Sequence, residues 1–212
     1  MLNVIRRLLF VLLTGILSLA LTYAADDTAA PPFQEGKDYA RLSTPVPTSA
    51  PGKIEVVEMF SYSCPHCNHL EPTVQEWLKR KPDNVVFVRI PVVFAPNWEA
   101  VARAYYVAET LGVLEKVHQP LLNAIHVEKR KLNTEDELAG FFAEHGVDAD
   151  AFHKAYKSFQ VETQLRRGNQ LAQRYGVQGV PAVIVNGKYD VRSARMFDVV
   201  DFLIAKEAAS QG

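Results

Sequence analysis

Residues 61–70 read SYSCPHCNHL and hold both cysteines of the chain, Cys64 and Cys67, with Pro65 and His66 between them. Two thiols at this spacing can form a structural staple, half of a metal site, or a redox centre that exchanges disulfides with other molecules. A staple closing so small a loop constrains the unfolded chain little, because the benefit grows with loop length. A structural zinc site takes four ligands, and the chain has no second C-x-x-C. His66 and His69 lie close by, while His118, His126, His145 and His153 stand at no motif spacing. No metal and no other cofactor is therefore expected, and the redox reading is favoured.

The elements around the pair strengthen that reading. Residues 53–62, KIEVVEMFSY, are rich in β-branched and aromatic side chains and predict a strand. HCNHLEPTVQEWLKRK then predicts a helix, with Pro72 inside it. Cys64 thus falls where a strand ends and a helix begins. The first backbone N–H groups of a helix are unpaired and carry partial positive charge, which favours a thiolate over a thiol. Cys67 lies one turn inside the helix, where it should be more buried and less reactive. Cys64 is then the sulfur that attacks or is attacked, and Cys67 the one that resolves the mixed disulfide. Pro65 suits the first helical position. A protonated or donating His66 beside the thiolate stabilises it further, and a stabilised reduced state makes the disulfide a stronger oxidant.

Three other features bear on the site. Strand alternation puts Ile54, Val56, Glu58 and Phe60 on one face, so Glu58 is expected to be buried and to need a partner. Arg89, in the predicted strand 85–90 (VVFVRI), is the natural one. Glu58 is then either a satisfied ion pair or a proton acceptor and electrostatic tuner beneath Cys67. GVP, residues 179–181, places Pro181 at a strand entry, where a cis Val180–Pro181 bond would turn the Val180 backbone toward an extended peptide. Base rates alone favour an ordinary trans bond. The histidines at 118, 126, 145 and 153 are expected to be exposed, and the apolar run IPVVFAPNW, residues 90–98, to be mainly core.

The rest of the chain supplies the frame. A β-α-β unit of this length implies parallel strands with a right-handed crossover. Residues 97–159 change to helical patterns, among them TEDELAGFFAEHG with a capping box from Thr134 to Glu137. A long helix follows from about Val161 to Tyr175. VPAVIVNGKYDV then reads as strand, Asn186-Gly187 turn and strand, before a last helix over about residues 194–208. The expected organisation is a lead-in at 25–52, a first domain from 53–95 and 160–212, and an all-helical insertion at 96–159. This α/β order is a thioredoxin-like fold carrying an inserted helical domain.

Residues 1–24 have a basic start at Arg6 and Arg7, an apolar run and small residues near Ala24. That is the pattern of a cleaved secretory signal, and the run is short for a bilayer span. Export would put both cysteines where disulfides persist. The 23 basic and 24 acidic residues leave a net charge of −1, which gives no footprint for nucleic acid.

VVEMFSYSCPHC, GVPAVIVNGKY, the secretory signal and the helical insertion together resemble the DsbA family of bacterial periplasmic thiol:disulfide oxidoreductases. The resemblance covers essentially the mature chain. It implies that Cys64 is an exposed nucleophile, Cys67 its buried partner and Pro181 a cis proline packed against them. It implies re-oxidation by a DsbB-type membrane partner; the expected enzyme is a monomer without cofactor that donates its disulfide to reduced exported proteins. Arg89 stands where the family often has lysine, and because arginine stays charged it should hold Glu58 firmly ionised. The alternatives on the residues alone are a disulfide reductase or isomerase, or a non-enzymatic metal-binding or chaperone protein using the same thiols.

Overall fold

The computed structural model describes residues 32–210. The expected signal segment, residues 1–24, lies outside them. In chain order the elements are β1 (Tyr39–Arg41), β2 (Ile54–Phe60), α1 (Pro65–Leu78), β3 (Val85–Pro91), α2 (Glu99–Thr110), α3 (Leu114–His126), α4 (Glu135–Glu144), α5 (Ala149–Tyr156), α6 (Phe159–Tyr175), β4 (Ala182–Val185), β5 (Tyr189–Val191) and α7 (Met196–Ala209). This is the thioredoxin-like fold with its helical insertion. α3 is not among the helices expected from the sequence, although Val117, His118, Leu121 and Leu122 recur at helical spacing on its buried face, with Pro120 inside it.

The five strands lie in the order β1-β5-β4-β2-β3. β2 pairs parallel with β3 through the α1 crossover and antiparallel with β4. All seven residues of β2 are buried, because strands flank it on both sides and helices cover both faces. On one face, Ile54 and Val56 pack with Val74 and Trp77 of α1 and Val200 and Leu203 of α7. On the other, Val57 and Met59 pack with Ala172 and Tyr175 of α6. A third core joins α2 to α5 and the start of α6, and it reaches the end of the sheet through Phe60, Tyr62, Cys64 and Cys67. The thiol pair therefore lies at the seam between the sheet and the helical cluster.

Local signals fix the connections. Thr134 and Glu137 form the capping box that starts α4. α6 begins on the Ser158 cap, two residues ahead of the sequence expectation, and ends at Gly176 in the left-handed conformation. Asn186 and Gly187 both have positive φ, 51° and 62°, as a tight hairpin between β4 and β5 requires. The lead-in is more than surface chain. Phe33, Tyr39 and Val46 are buried, β1 pairs with β5, and the Val46 N–H donates to the Gly187 carbonyl at 2.8 Å.

That contact yields a test of the hairpin. A methyl group on Gly187 would meet the Val46 carbonyl oxygen, on a backbone already in the left-handed region. Gly187→Ala is expected to cost about 2 kcal/mol or more, read as a lower urea midpoint with an unchanged slope.

Candidate active site

Cys64 is the N-cap of α1. Its backbone is extended, with φ −91° and ψ 116°, Pro65 takes the first helical position, and the first turn carries no acidic residue. The Cys64 carbonyl accepts from the Asn68 N–H at 3.2 Å, so the helix begins at the motif itself. The Cys64 side chain thus sits where a serine or aspartate commonly caps the free N–H groups, with no carboxylate competing for that positive end. Both cysteines are free thiols.

The expectation of an exposed Cys64 needs correction. Its residue exposure is only 5%, against 3% for Cys67. Cys64 is closed over by the loop before β4, where its thiol donates to the Val180 carbonyl at 3.4 Å. The Val180–Pro181 peptide is cis, as the resemblance implied and base rates did not. The two sulfurs differ less in area than in surroundings. Burial pushes the Cys67 thiol far above its ordinary range; a backbone contact with Ser61 opposes this, and the neighbouring Cys64 and Glu58 add to it. Cys67 is therefore kept as a thiol near neutral pH. His66 is solvent-exposed beside Pro65, as is His69.

Beneath the pair lies a buried ionic cluster. Glu58 is 1% exposed and stands directly opposite Arg89 in the parallel β2–β3 register. The Arg89 Nε donates to Glu58 Oε2 at 2.9 Å, and its Nη2 donates to both oxygens of Glu71 at 2.8 Å. The Glu58–Arg89 pair follows the sequence expectation; the second carboxylate was missed. Glu71 follows Cys67 by four residues, so it lies on the same face of α1, a signal the spacing did carry.

The expected firm ionisation of Glu58 does not hold. Burial raises its carboxyl to about 7, against the pull of Arg89 and with a further push from Glu71. Burial acts on Glu71 in the same direction, but His118 and Arg89 outweigh it and hold that carboxyl below the usual range. One guanidinium cannot fully compensate two carboxylates in a dry site, and the deeper carboxylate is the one whose proton affinity rises.

The histidines also depart from expectation. His118, on α3, is 4% exposed. Its Nδ1 lies 2.7 Å from the Tyr62 hydroxyl and its Nε2 lies 3.4 Å from Glu71 Oε2. The half-buried His126 bonds the Tyr62 carbonyl at 2.7 Å through Nε2. His145 contacts the Phe141 carbonyl and His153 pairs with Glu135, both away from the thiols. Within residues 90–98 the outcome is split: Ile90 and Val92 are core, whereas Phe94 is exposed and packs its ring 6.2 Å from Trp98. A cavity of about 210 Å³, lined among others by Glu55, Tyr106, Glu109 and Gln164, touches neither cysteine. Among the described residues no group of three or more His, Cys, Asp or Glu has a metal-binding arrangement.

Comparison with known proteins agrees with this geometry. The sequence model of the DSBA-like thioredoxin domain matches residues 55–203. The thiol:disulfide interchange protein DsbA of Azotobacter vinelandii is 40% identical over 212 residues, covering 97% of this chain and 99% of the relative. The crystal structure of Pseudomonas aeruginosa DsbA superposes with a TM-score of 0.82 at 41% identity, covering 86% of this chain and 98% of that one. The oxidoreductase DsbA from Xylella fastidiosa gives 0.79 at 35% identity, covering 84% and 98%. With a C-x-x-C pair at a helix start facing a cis-proline loop, the chain belongs to the DsbA-like thioredoxin-domain family and is a thiol:disulfide oxidoreductase.

Proposed function

We propose that the chain is a disulfide donor acting in the periplasm on reduced, newly exported proteins. The observation that carries the direction of transfer is the contrast between the two sulfurs: Cys64 caps a helix free of first-turn acids, while Cys67 is held as a thiol by burial. A reduced pair with one sulfur at an acid-free helix start and one thiol sealed from water is a good product of disulfide transfer.

The reaction then runs in two exchanges. A substrate thiolate attacks Cys64 Sγ of the oxidised pair; the Cys64–Cys67 bond breaks, and Cys67 departs with the bond electrons and takes up a proton. A second substrate thiol, once deprotonated, attacks the substrate sulfur of the mixed disulfide, and Cys64 leaves as a thiolate. Two electrons pass from substrate to enzyme, and the substrate gains a disulfide.

The other site residues take supporting roles in this reading. The Val180 carbonyl beside Cys64 and the cis Pro181 supply backbone against which an extended substrate segment can lie. Pro65 starts the helix, and exposed His66 stabilises the thiolate from the solvent side. Glu58, with its carboxyl raised to about 7, supplies or accepts the Cys67 proton. Exposed Phe94, its ring 6.2 Å from that of Trp98 after β3, is a further apolar contact for a substrate. The thioredoxin-like domain comprises residues 53–95 and 160–212, with the insertion at 96–159. The enzyme works as a monomer and is re-oxidised by a quinone-linked membrane partner of the DsbB type. No helix among the described residues is long and apolar enough to cross a membrane.

Cys64→Ser is expected to abolish oxidation of a reduced model protein; retained activity in that variant would overturn the mechanism. His66→Leu is expected to weaken the oxidant, shifting its equilibrium with glutathione on the order of tenfold toward the disulfide form. An unshifted equilibrium removes His66 from the tuning role. The protein recovered from the periplasm is expected to begin at residue 25, as N-terminal sequencing would read; retention of residues 1–24 would mean an anchor.

A further inference from the structure

The buried network does not end at Glu71. His118 lies against that carboxylate from α3, and nothing in the disulfide chemistry so far requires it. The charged and titratable groups around its ring come from the elements packed on it: Arg89 from β3, Glu71 from α1, Tyr62 after β2, Tyr105 from α2, and Glu115 on its own helix, with Glu58 reached through Arg89. Burial holds the Tyr62 phenol neutral, so its hydroxyl is a donor. With Nε2 facing an ionised carboxylate, the neutral ring keeps its proton on Nε2 and accepts from Tyr62 on Nδ1.

That Nε2 is buried and has no hydrogen-bond partner. At 3.4 Å from Glu71 it is at ion-pair distance rather than in a well-formed hydrogen bond. His118 also lines a polar cavity of about 220 Å³ with Gln75, Arg89, Leu114, Glu115 and Gln119, so a titratable ring borders both the cluster and a space that can hold water.

Charge balance gives this arrangement a purpose. Arg89 is a cation and Glu71 an anion. The cluster is neutral when Glu58 is an acid and His118 an imidazole, and neutral again when Glu58 is a carboxylate and His118 an imidazolium. Either way one proton is held between the two groups, on opposite sides of the Arg89–Glu71 pair. Arg89 does not give up its proton, so the two ends are linked by field and not by a proton wire.

We propose that His118 is a positioning residue for the Cys64–Cys67 couple, fixing Glu71 against Arg89 and exchanging a proton with the cavity side as the charge of Glu58 beside Cys67 changes. When Cys67 takes a proton from Glu58 as the disulfide opens, the new carboxylate raises the proton affinity of His118. When the pair is re-oxidised, Cys67 returns its proton and His118 releases its own. The inference rests on the reading of Glu58 as proton donor to Cys67.

Linkage makes it measurable without any variant having to fold: if His118 responds to the couple, the couple must shift the titration of His118 by the same factor. The experiment is a carbon-13 NMR titration of the wild-type histidine rings in the disulfide and dithiol forms, with His118 assigned through its contact to Tyr62 and His145 and His153 as internal controls. The His118 midpoint is expected to be higher in the dithiol form, by a factor of about two or more in proton affinity, with the controls unmoved. Burial lowers the proton affinity of the His118 ring, so His118→Gln is expected to flatten the pH dependence of the glutathione equilibrium on the acid side of the ordinary histidine range, an effect that lost packing alone would not produce. Equal midpoints in the two redox states overturn the proposal. If His118 is unmoved while Glu58→Gln still alters the pH profile, the role of His118 fails and that of Glu58 stands. If Glu58→Gln alters nothing either, the Glu58 reading fails with it.

Discussion

A single guanidinium under the thiols governs this site. Arg89 reaches two carboxylates from one buried position, its side chain only 9% exposed. Taking three charges out of water costs several kcal/mol per ion, and pairing recovers it only where geometry is good. Arg89 meets that condition toward Glu71, with its Nη2 bonded to both carboxylate oxygens, and less fully toward Glu58, with one bond from Nε. Burial then pushes Glu58 to about 7 against the pull of Arg89, while His118 and Arg89 together hold Glu71 below the usual range. A lysine in the same place would be a point charge with no planar fork. Burial, His118 and the unequally shared arginine thus make two unlike acids of two buried carboxylates, and the one nearer neutrality is felt electrostatically by Cys67.

Much of this was legible in the sequence because it rests on local rules. The C-x-x-C pair, the strand before it and the helix after it announce themselves by type and spacing. Alternation put Glu58 on the face of Ile54 and Val56, and a β-α-β unit implies parallel pairing, so Arg89 followed as its partner; the register places the two directly opposite. The hairpin turn and the capping box of α4 were equally readable, since each is encoded within four residues.

What escaped depends on how distant segments pack. His118 is four per cent exposed because α3 lies against α1 and α2; its place beside Val117, Leu121 and Leu122 on one helix face marks it as core-facing, but not which charged groups it meets there. Pro120, inside that helix, is a signal against it. Cys64 is covered by Val180, which is 116 residues away in the chain. The ionisation of Glu58 was misjudged for a related reason. Sequence supplied one partner and no measure of dryness, whereas the balance turns on full burial together with a second carboxylate competing for the same cation.

The placement of the pair at a seam follows from these opposing demands. Exchange with a protein substrate needs Cys64 reachable from outside, and the thiol of Cys67 needs a dry bed. A helix start at the end of a central strand gives Cys67 its dry bed and leaves Cys64 behind only the Val180 loop. Its N-terminal turn faces the Val180 loop, and its next turn faces the sheet and the helical cluster. The insertion contributes to the second demand: Tyr105 of α2 and His118 of α3 pack with Phe60 and Tyr62 around the end of β2. The strand, helix and loop bring the thiols together, and the inserted helices complete the low-dielectric surroundings in which Glu58 is brought close to neutrality.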